Sequence, residues 1–341
     1  MQSRVEPLKN LGYGIPLKFY IALAAIALVF LVPTIITNAY YIRIAISMTL
    51  YIMLVMGLRL MITGGEFNLA IPAFMAIGAY TAALLMTEKG WNWWPCMIVA
   101  GGMAVVIAAI VGRIVLRVKG IYFAILGFAL VMIMRNVWLT WPDLFGGTSG
   151  ISNIPTISGL SGSLDSFYYL GAGLAVFTVI IMYLLDKSRY GLTLKAMGQA
   201  DNLAESVGVN VMRYKLSAFV VGAFFAGIAG AFFASMQHFI DPEEFGFAMV
   251  LFIILYAVAG GMRSFIGPII GVIVLLALPV GLKEIPGYDP KIEPIIFGGI
   301  LVAIMLFLSQ GFVSLPEKLL TLYKWVRERF RREEVEEYAA T

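Results

Sequence analysis

The residues with the clearest chemical meaning lie next to a glycine pair. Gly64-Gly65 is followed seven residues later by Pro72, and Glu66 and Asn68 come just after the pair. A second glycine pair with the same proline spacing occurs at 260–268. Within a membrane this spacing predicts broken helices, whose freed backbone groups are tolerated where they line a hydrated cavity and whose helix N-termini favour anionic groups. We therefore predict a polar functional site at the first break.

Other chemistries are open or excluded at this stage. Glu66 has an alternative role, because it can pair with Arg59 or lie in water. Gly147-Thr148-Ser149-Gly150 imitates the nucleophile motif of a serine protease, with His238 as the single histidine. We disfavour that enzyme because the serine lies in a polar stretch and no residue evidently orients His238. One cysteine and one histidine exclude a Cys/His zinc cluster, and the ATP-binding pattern GxxxxGK[ST] does not occur.

The composition is that of a membrane protein. Hydrophobic residues make up 61% of the 341 positions and charged residues 13%, against roughly 25% charged in soluble proteins. Because a spanning helix needs ~20 apolar residues, the sequence predicts an all-α membrane protein with about ten transmembrane helices. The predicted spans are residues 19–37, 40–62, 67–87, 95–115, 120–140, 167–185, 214–237, 247–261, 266–282 and 294–311.

Basic residues orient these spans. With the N-terminus in the cytoplasm, 19 of the 24 Lys and Arg residues lie on the cytoplasmic side and five lie outside or in the outer half of a span. This asymmetry predicts an N-in, C-in topology and assigns the net charge of +4 to orientation rather than to nucleic-acid binding. The chain then divides into a cytoplasmic segment 1–18, a transmembrane domain 19–311 and a cytoplasmic tail 312–341. The tail is either an interfacial amphipathic helix or a solvated extension.

Small residues predict close packing of one span. Helices in lipid associate by backbone approach at small residues, because lipid tails are as apolar as leucine. The span 214–237 carries two adjacent rows of small residues at i, i+4 spacing, so we expect it to be surrounded by protein. The rows are Ala223, Gly227, Ala231 and Ser235, and Gly222, Ala226, Gly230 and Ala234.

The polar stretch Asp186–Arg213 has the features of a partner-binding element. It joins the sixth and seventh predicted spans, and the charge asymmetry places it in the cytoplasm. Asp201 is predicted to N-cap a short helix that presents Leu203 and Val207 on one face and stops at Gly208. Such a helix can bind a groove on a partner protein. The alternative is a solvated linker.

Many short motifs occur in the order of one known family. They are Gly57-Leu58, Gly64-Gly65, Ala73-Phe74, Gly78-Ala79-Tyr80, residues 120–124, Arg135, Trp141, residues 146–151, Ile154-Pro155, Tyr190-Gly191, residues 204–210, Arg213-Tyr214-Lys215, Gly260-Gly261 and Gly267-Pro268. From about residue 50 to 310 the chain resembles the LivM-type subunits of the branched-chain amino acid ABC transporter permease family. Their number and order make the resemblance specific, although no single motif would.

The resemblance implies a non-catalytic permease subunit of an importer in the bacterial inner membrane. The implied partners are a second, homologous permease, two cytoplasmic ATPases that use ATP and Mg²⁺, and a periplasmic solute-binding protein; this chain itself would bind no cofactor. The implied architecture is that of ten-helix type II ABC importers, whose main ATPase-contacting loop lies between spans six and seven. The residues assigned to coupling are Gly191, Leu194, Lys195, Asp201, Leu203, Ala204, Glu205, Val207 and Gly208.

The implied substrates are branched-chain or other apolar amino acids, with urea or short amides as an alternative. The sequence departs from the family at 65–71, which reads Gly-Glu-Phe-Asn-Leu-Ala-Ile where Gly-Gln-Leu-Ser-Leu-Gly-His is usual. The added carboxylate and lost imidazole change the polar lining of a translocation pathway. The predicted pathway residues are Gly64, Gly65, Glu66, Asn68 and Arg135, and Arg135 alternatively snorkels outward. An ion-coupled secondary transporter is a further alternative, with Glu66 as its strongest intramembrane carboxylate.

Acidic residues on the outer side predict a docking surface. Asp241, Glu243 and Glu244 follow the seventh span and precede the eighth. Complementary charge commonly steers the encounter of two proteins. We expect these acids to help dock the binding protein, and the alternative is that they are only solvated.

Overall fold

Membrane-length helices dominate the structure. The computed structural model describes residues 29–34, 38–157, 159–160, 163–262, 264–283, 298–299 and 311–312. Six helices in these ranges are long and apolar enough to cross a membrane. They are α1 (Ala39–Thr63), α2 (Ile71–Lys89), α3 (Trp93–Val115), α4 (Ile121–Thr140), α6 (Leu164–Lys187) and α9 (Val211–Gln237). Shorter helices are α5 (Pro142–Phe145), α7 (Arg189–Gln199), α8 (Asp201–Ser206), α10 (Phe247–Gly260) and α11 (Gly267–Lys283).

Eight of the predicted spans coincide with observed helices. The largest difference between a predicted and an observed boundary is four residues, at 67 against Ile71. The spans predicted at 19–37 and 294–311 lie mostly outside the described residues, and the segments 1–18 and 312–341 do so almost entirely. Helices α10 and α11 have 14 and 17 residues, which is at the short end for a crossing. The total of ten spans and the N-in, C-in topology therefore remain predictions.

Helix α9 is the centre of the bundle. It packs against α1, α2 and α3, and all the residues of its two small-residue rows are buried, as the sequence predicted. A Cβ atom added to Gly57 of α1 would lie 3.1 Å from the carbonyl oxygen of Gly222. A Cβ added to Gly78 of α2 would overlap the backbone of Gly227. The helices therefore meet backbone to backbone, as expected where van der Waals contact replaces the hydrophobic effect.

Connections between helices gather at the two ends of the bundle. One end, named the α7–α8 end, holds the 64–70 connection between α1 and α2 together with α7 and α8, and Gly65 packs there against Gly198. At the opposite end β1 (Ile151–Ser152) pairs antiparallel with β2 (Phe239–Ile240). We name this the ladder end. The two short strands join the segment before α6 to the segment after α9.

The polar stretch predicted as a loop at 186–213 is mostly helical. Its two ends belong to α6 and α9, and α7 and α8 lie between them. The predicted N-cap is wrong: Ala200 occupies the cap position without a side-chain bond, and Asp201 is the first residue of α8. Its carboxylate is held by two lysine side chains, described below, in place of the backbone N–H groups. Gly208 follows the helix with φ of +86°, which confirms the predicted stop.

We predict that Gly78→Ala destabilises the protein, whereas Gly102→Ala does not. The added methyl group at Gly78 meets the backbone of α9, while an added Cβ at Gly102 of α3 has nothing within 4 Å. Overpacking of this kind costs about 1–3 kcal/mol or more. Thermal unfolding of both variants in one detergent measures the difference. Equal unfolding midpoints would contradict the backbone-to-backbone contact.

Candidate functional site

A buried carboxylate lies directly after the break that ends α1. Gly64 caps α1 and Gly65 adopts φ of +86°, which turns the chain sharply. Glu66 follows with only 3% of its side chain exposed. One carboxylate oxygen lies 2.8 Å from Nζ of Lys215 in the first turns of α9, and the other accepts the Gly120 N–H at 3.0 Å. Such burial is tolerated because both oxygens are satisfied.

The Glu66–Lys215 pair extends into a cluster of four charges. Nζ of Lys215 also lies 2.7 Å from Oδ2 of Asp201, and Lys119 reaches the same oxygen at 3.1 Å. We name Glu66, Lys215, Asp201 and Lys119 the Glu66 cluster. Burial alone would raise the pKa of Asp201, but the two ammonium groups outweigh it and hold that pKa below its usual value. The cluster joins the α1–α2 connection, the segment before α4, α8 and the start of α9.

A second ion cluster fastens the neighbouring elements. Asp186 at the end of α6 pairs with Arg59 of α1 at 3.0 Å and with Lys195 of α7 at 2.7 Å. Nε of Arg59 donates to the Ser264 carbonyl at 3.1 Å, and its guanidinium stacks 4.7 Å from the ring centre of Phe265. We name Asp186, Arg59 and Lys195 the Asp186 cluster. It ties α1, α6 and α7 to the segment between α10 and α11.

Together the two clusters fix α7 and α8 to the helix bundle. Cutting either partner out of a buried ion pair leaves an uncompensated charge, which costs about 3–5 kcal/mol. Close packing adds to this attachment: Gly64 packs against the Leu194 side chain, and Gly65 against the backbone of Gly198. A force applied to α7 or α8 would therefore reach the ends of several long helices without loss in a flexible linker.

Three large apolar side chains are exposed on α7, on α8 and just after α8. The side chains of Leu203 and Val207 are 69% and 78% exposed. Leu192, on the preceding helix α7, is 60% exposed. Exposed apolar groups of this kind mark contact sites for other proteins. We name Leu192, Leu203 and Val207 the apolar patch. On α8 Ala204 faces the bundle and Leu203 is exposed, and the amphipathic partner-binding helix stays a prediction.

The other predicted coupling residues divide between the patch and the bundle. Leu194 and Ala204 are buried against the bundle, and Glu205 and Gly208 are exposed. Gly191 is buried against the end of α6, where an added Cβ would meet the carbonyl oxygens of Leu185 and Asp186. Lys195 and Asp201 belong to the ion clusters. The predicted coupling segment thus combines an outward face with an anchored inner face.

The predicted pathway residues are not brought together. Gly64, Gly65 and Glu66 lie at the α7–α8 end, and Asn68 is buried there with its Oδ1 accepting the Ala70 N–H at 2.9 Å. Arg135 lies 15 residues beyond Gly120 along α4, which is about 22 Å at 1.5 Å per residue. It pairs with Glu243 near the ladder end. The alternative pairing of Glu66 with Arg59 is wrong, since each of them has a different buried partner.

The three acids predicted for docking have three different environments. Asp241 accepts the backbone N–H groups of Glu243 and Glu244, which fixes a turn. Glu243 is largely exposed and pairs with Arg135. Glu244 is half-buried, and within the described ranges its Oε2 has no hydrogen-bond partner.

The serine–histidine pair of the protease alternative is not formed. Nδ1 of His238 donates to the Ile154 carbonyl, and no hydrogen bond joins His238 to Ser149 among the described residues.

Reasoning from sequence missed the partners of the buried acids. Lys215, Lys119, Arg59 and Asp186 carry both clusters, whereas the one pairing expected from the sequence, Glu66 with Arg59, does not form. A signal was present: an ionisable group inside a packed membrane protein needs an opposite charge, and Lys215 lies at the start of the most tightly packed span. Several basic residues satisfy this requirement equally well in the sequence, and only the folded structure selects the one that pairs with each buried acid.

The fold and the site define the class of the protein. Six membrane-length helices, joined at one end by buried ion clusters, make it a multi-pass membrane protein. It belongs to the family described as branched-chain amino acid transport system / permease component, whose model matches residues 40–305.

Curated relatives agree with the family assignment. The high-affinity branched-chain amino acid transport system permease protein LivM of Escherichia coli K12 is 31% identical over 306 residues, 82% of this chain and 71% of the relative. The corresponding LivH protein of that strain is 26% identical over 281 residues, 74% of this chain and 87% of the relative. The galactofuranose transporter permease protein YtfT of the same strain is 25% identical over 271 residues, 77% of each chain. No solved structure matches the chain.

We predict that Lys215→Met destabilises the protein by about 3–5 kcal/mol, because it leaves Glu66 charged and unpaired in the interior. Adding Glu66→Gln to Lys215→Met should restore part of the loss, since the second change removes the orphaned charge. Thermal unfolding in detergent measures both effects, with exposed Lys89→Met as the control. A double variant that loses as much as the sum of the single losses would contradict the pairing.

Proposed function

We propose that this chain is a membrane-spanning permease subunit of an ATP-driven, binding-protein-dependent importer in the bacterial inner membrane. Its partners would be a second, homologous permease, two cytoplasmic ATPases and a periplasmic solute-binding protein. The observation that carries this proposal is the apolar patch on α7 and α8, held rigidly to the bundle by the two ion clusters. An exposed surface with an anchored base suits a partner that does mechanical work.

The proposed mechanism is alternating access. Closure of the ATPases around ATP would displace α7 and α8 through the apolar patch. The Asp186 cluster passes that displacement to α1 and α6, and the Glu66 cluster passes it to α9 and to the segment before α4. The two permeases would then rock about a shared pathway, to which this chain contributes the break at 64–68. Rigid coupling of this kind needs two discrete helix arrangements rather than a flexible loop.

The proposed substrates are branched-chain or other apolar amino acids. Support comes from the family description and from the names of the LivM and LivH relatives. A relative named for galactofuranose transport shows that a member of similar sequence carries a sugar, so family membership alone leaves the substrate open. For docking of the binding protein we retain Glu243, because its carboxylate is exposed at the ladder end, whereas Asp241 is committed to a turn.

We predict that Leu203→Ser with Val207→Ser weakens binding of the ATPases at least about tenfold, because both changes remove apolar surface that the interface would bury. The measurement is the affinity of the purified ATPases for the permease pair in nanodiscs. Leu144→Ser is the matched control, because Leu144 is an exposed leucine on α5 near the ladder end. Unchanged affinity of the double variant would remove α8 from the interface.

The orientation has its own test. In a Cys96→Ala background, a cysteine at Ala200 should react with an impermeant maleimide only from the cytoplasmic side, because α7 and α8 must meet cytoplasmic ATPases. A cysteine at Glu88, an exposed residue at the end of α2, should react only from the periplasm. Labelling of Ala200→Cys from the periplasm would refute the proposed importer.

A further inference from the structure

A cavity of about 630 Å³ lies beside the ladder end, far from the ion clusters. The N-terminal half of α1, the first turn of α6, the end of α9 and the start of α10 surround it. Its lining mixes apolar side chains, such as Leu50, Phe167 and Met249, with polar ones, such as Ser47 and Gln237. Small-molecule sites in proteins typically have volumes of about 300–1,000 Å³ and apolar walls with a few polar groups. The size is that of a binding site rather than of a packing defect.

Two opposite charges border this cavity. Arg43 of α1 contributes a guanidinium and Glu244, before α10, contributes a carboxylate. Arg43 forms no ion pair within the part of the chain that the structure describes. Oε2 of Glu244 is buried and has no hydrogen-bond partner there either. Burial, together with the negative charge of Asp241, raises the pKa of Glu244 to about 7. The cavity thus presents an exposed guanidinium and a half-buried carboxyl group that form no ion pair among the described residues.

We propose that this cavity binds a zwitterionic amino acid with an apolar side chain. Arg43 would bind the α-carboxylate, Glu244 would bind the α-ammonium group, and the apolar part of the lining would hold the side chain. The proposal rests on the proposed importer function, and it names the place in this chain where the solute first binds. Neither residue belongs to the predicted pathway set at the first helix break.

The chemistry of the cavity separates this ligand from other classes. A neutral sugar would bring no counter-charge to Arg43 or Glu244, and a carboxylate oxygen as buried as Oε2 of Glu244 is costly unless it is paired. Urea and short amides lack the charges and the apolar side chain. The headgroup of phosphatidylethanolamine also carries an ammonium and an anion, so the same chemistry has a second source in the membrane. Nanodiscs made only of phosphatidylglycerol remove that source from the experiment.

The test measures protection of a reporter cysteine. Ser47 lines the cavity, and the single native cysteine, Cys96, is buried and is replaced by alanine. In such nanodiscs, L-leucine should slow N-ethylmaleimide labelling of Ser47→Cys at least about tenfold. Leucinamide lacks the carboxylate and 4-methylpentanoate lacks the ammonium group, so neither should protect at the same concentration. Gln237→Cys, also at the cavity, is the reporter if Ser47→Cys does not react.

Single substitutions test whether Arg43 and Glu244 each contribute to ligand binding. Arg43→Gln and Glu244→Gln should each raise the L-leucine concentration needed for half-protection at least tenfold. Glu88→Gln is the matched control, since Glu88 is an exposed carboxylate of α2 that does not line the cavity. Protection unaffected by both variants, no protection by any branched-chain amino acid, or protection by D-galactose instead, would each overturn the proposal.

A parallel measurement separates this proposal from the importer function. ATP-dependent uptake of L-leucine is measured for the full complex in proteoliposomes. Uptake in wild type without protection of the cavity would overturn the cavity site and leave the importer function standing. Protection of the cavity without ATP-dependent uptake would support the site and overturn the importer function.

Discussion

The ion pair between Glu66 and Lys215 is the constraint on which the α7–α8 end depends. Both side chains are 5% exposed or less. In such an environment an unpaired charge is expensive, so each group fixes the position of the other. Because Lys215 also holds Asp201, the position of α8 follows from the same contact. The break after α1, the start of α9 and the surface offered to a partner are thus set together.

Stability alone does not explain why these charges are present. Replacing a buried ion pair by well-packed apolar residues is often neutral or stabilising. Apolar contacts are not directional, so they let two helices slide against each other. Hydrogen-bonded charged groups have a fixed geometry and resist such sliding. Helix α9 is held differently from α7 and α8. Its rows of glycine and alanine let neighbouring backbones pack closely, whereas ion pairs attach α7 and α8. Each mechanism occurs where its requirement is met: small residues inside the bundle, ionisable residues at its end.

The transmembrane helices and their packing could be predicted from the sequence to a large extent, for physical reasons. Membrane thickness sets the length of a span, so apolar runs located α1 to within one residue and α2 to within four. The row of small residues from Ala223 to Ser235 required a protein neighbour, and its residues are buried. The partner of Glu66 was beyond such reasoning, because 149 residues separate it from Lys215 and Arg59 was nearer in sequence. Asp201 was misassigned because capping is a local rule that a lysine from another helix overrides. The Arg43–Glu244 cavity was missed because it exists only as a shape between four helices.

The two-residue ladder of β1 and β2 has a consequence for how the helices move. It joins the chain just before α6 to the chain just after α9, and the Ile154 N–H adds a bond to the His238 carbonyl at 3.2 Å. Near the opposite ends of these helices, Tyr190 just after α6 contacts Ser217 of α9 at 2.8 Å. Because α6 and α9 are bonded to each other near both ends, these contacts hold them against separation, and we expect them to tilt together. An opening in this half of the molecule would then form beside this pair of helices and not between them.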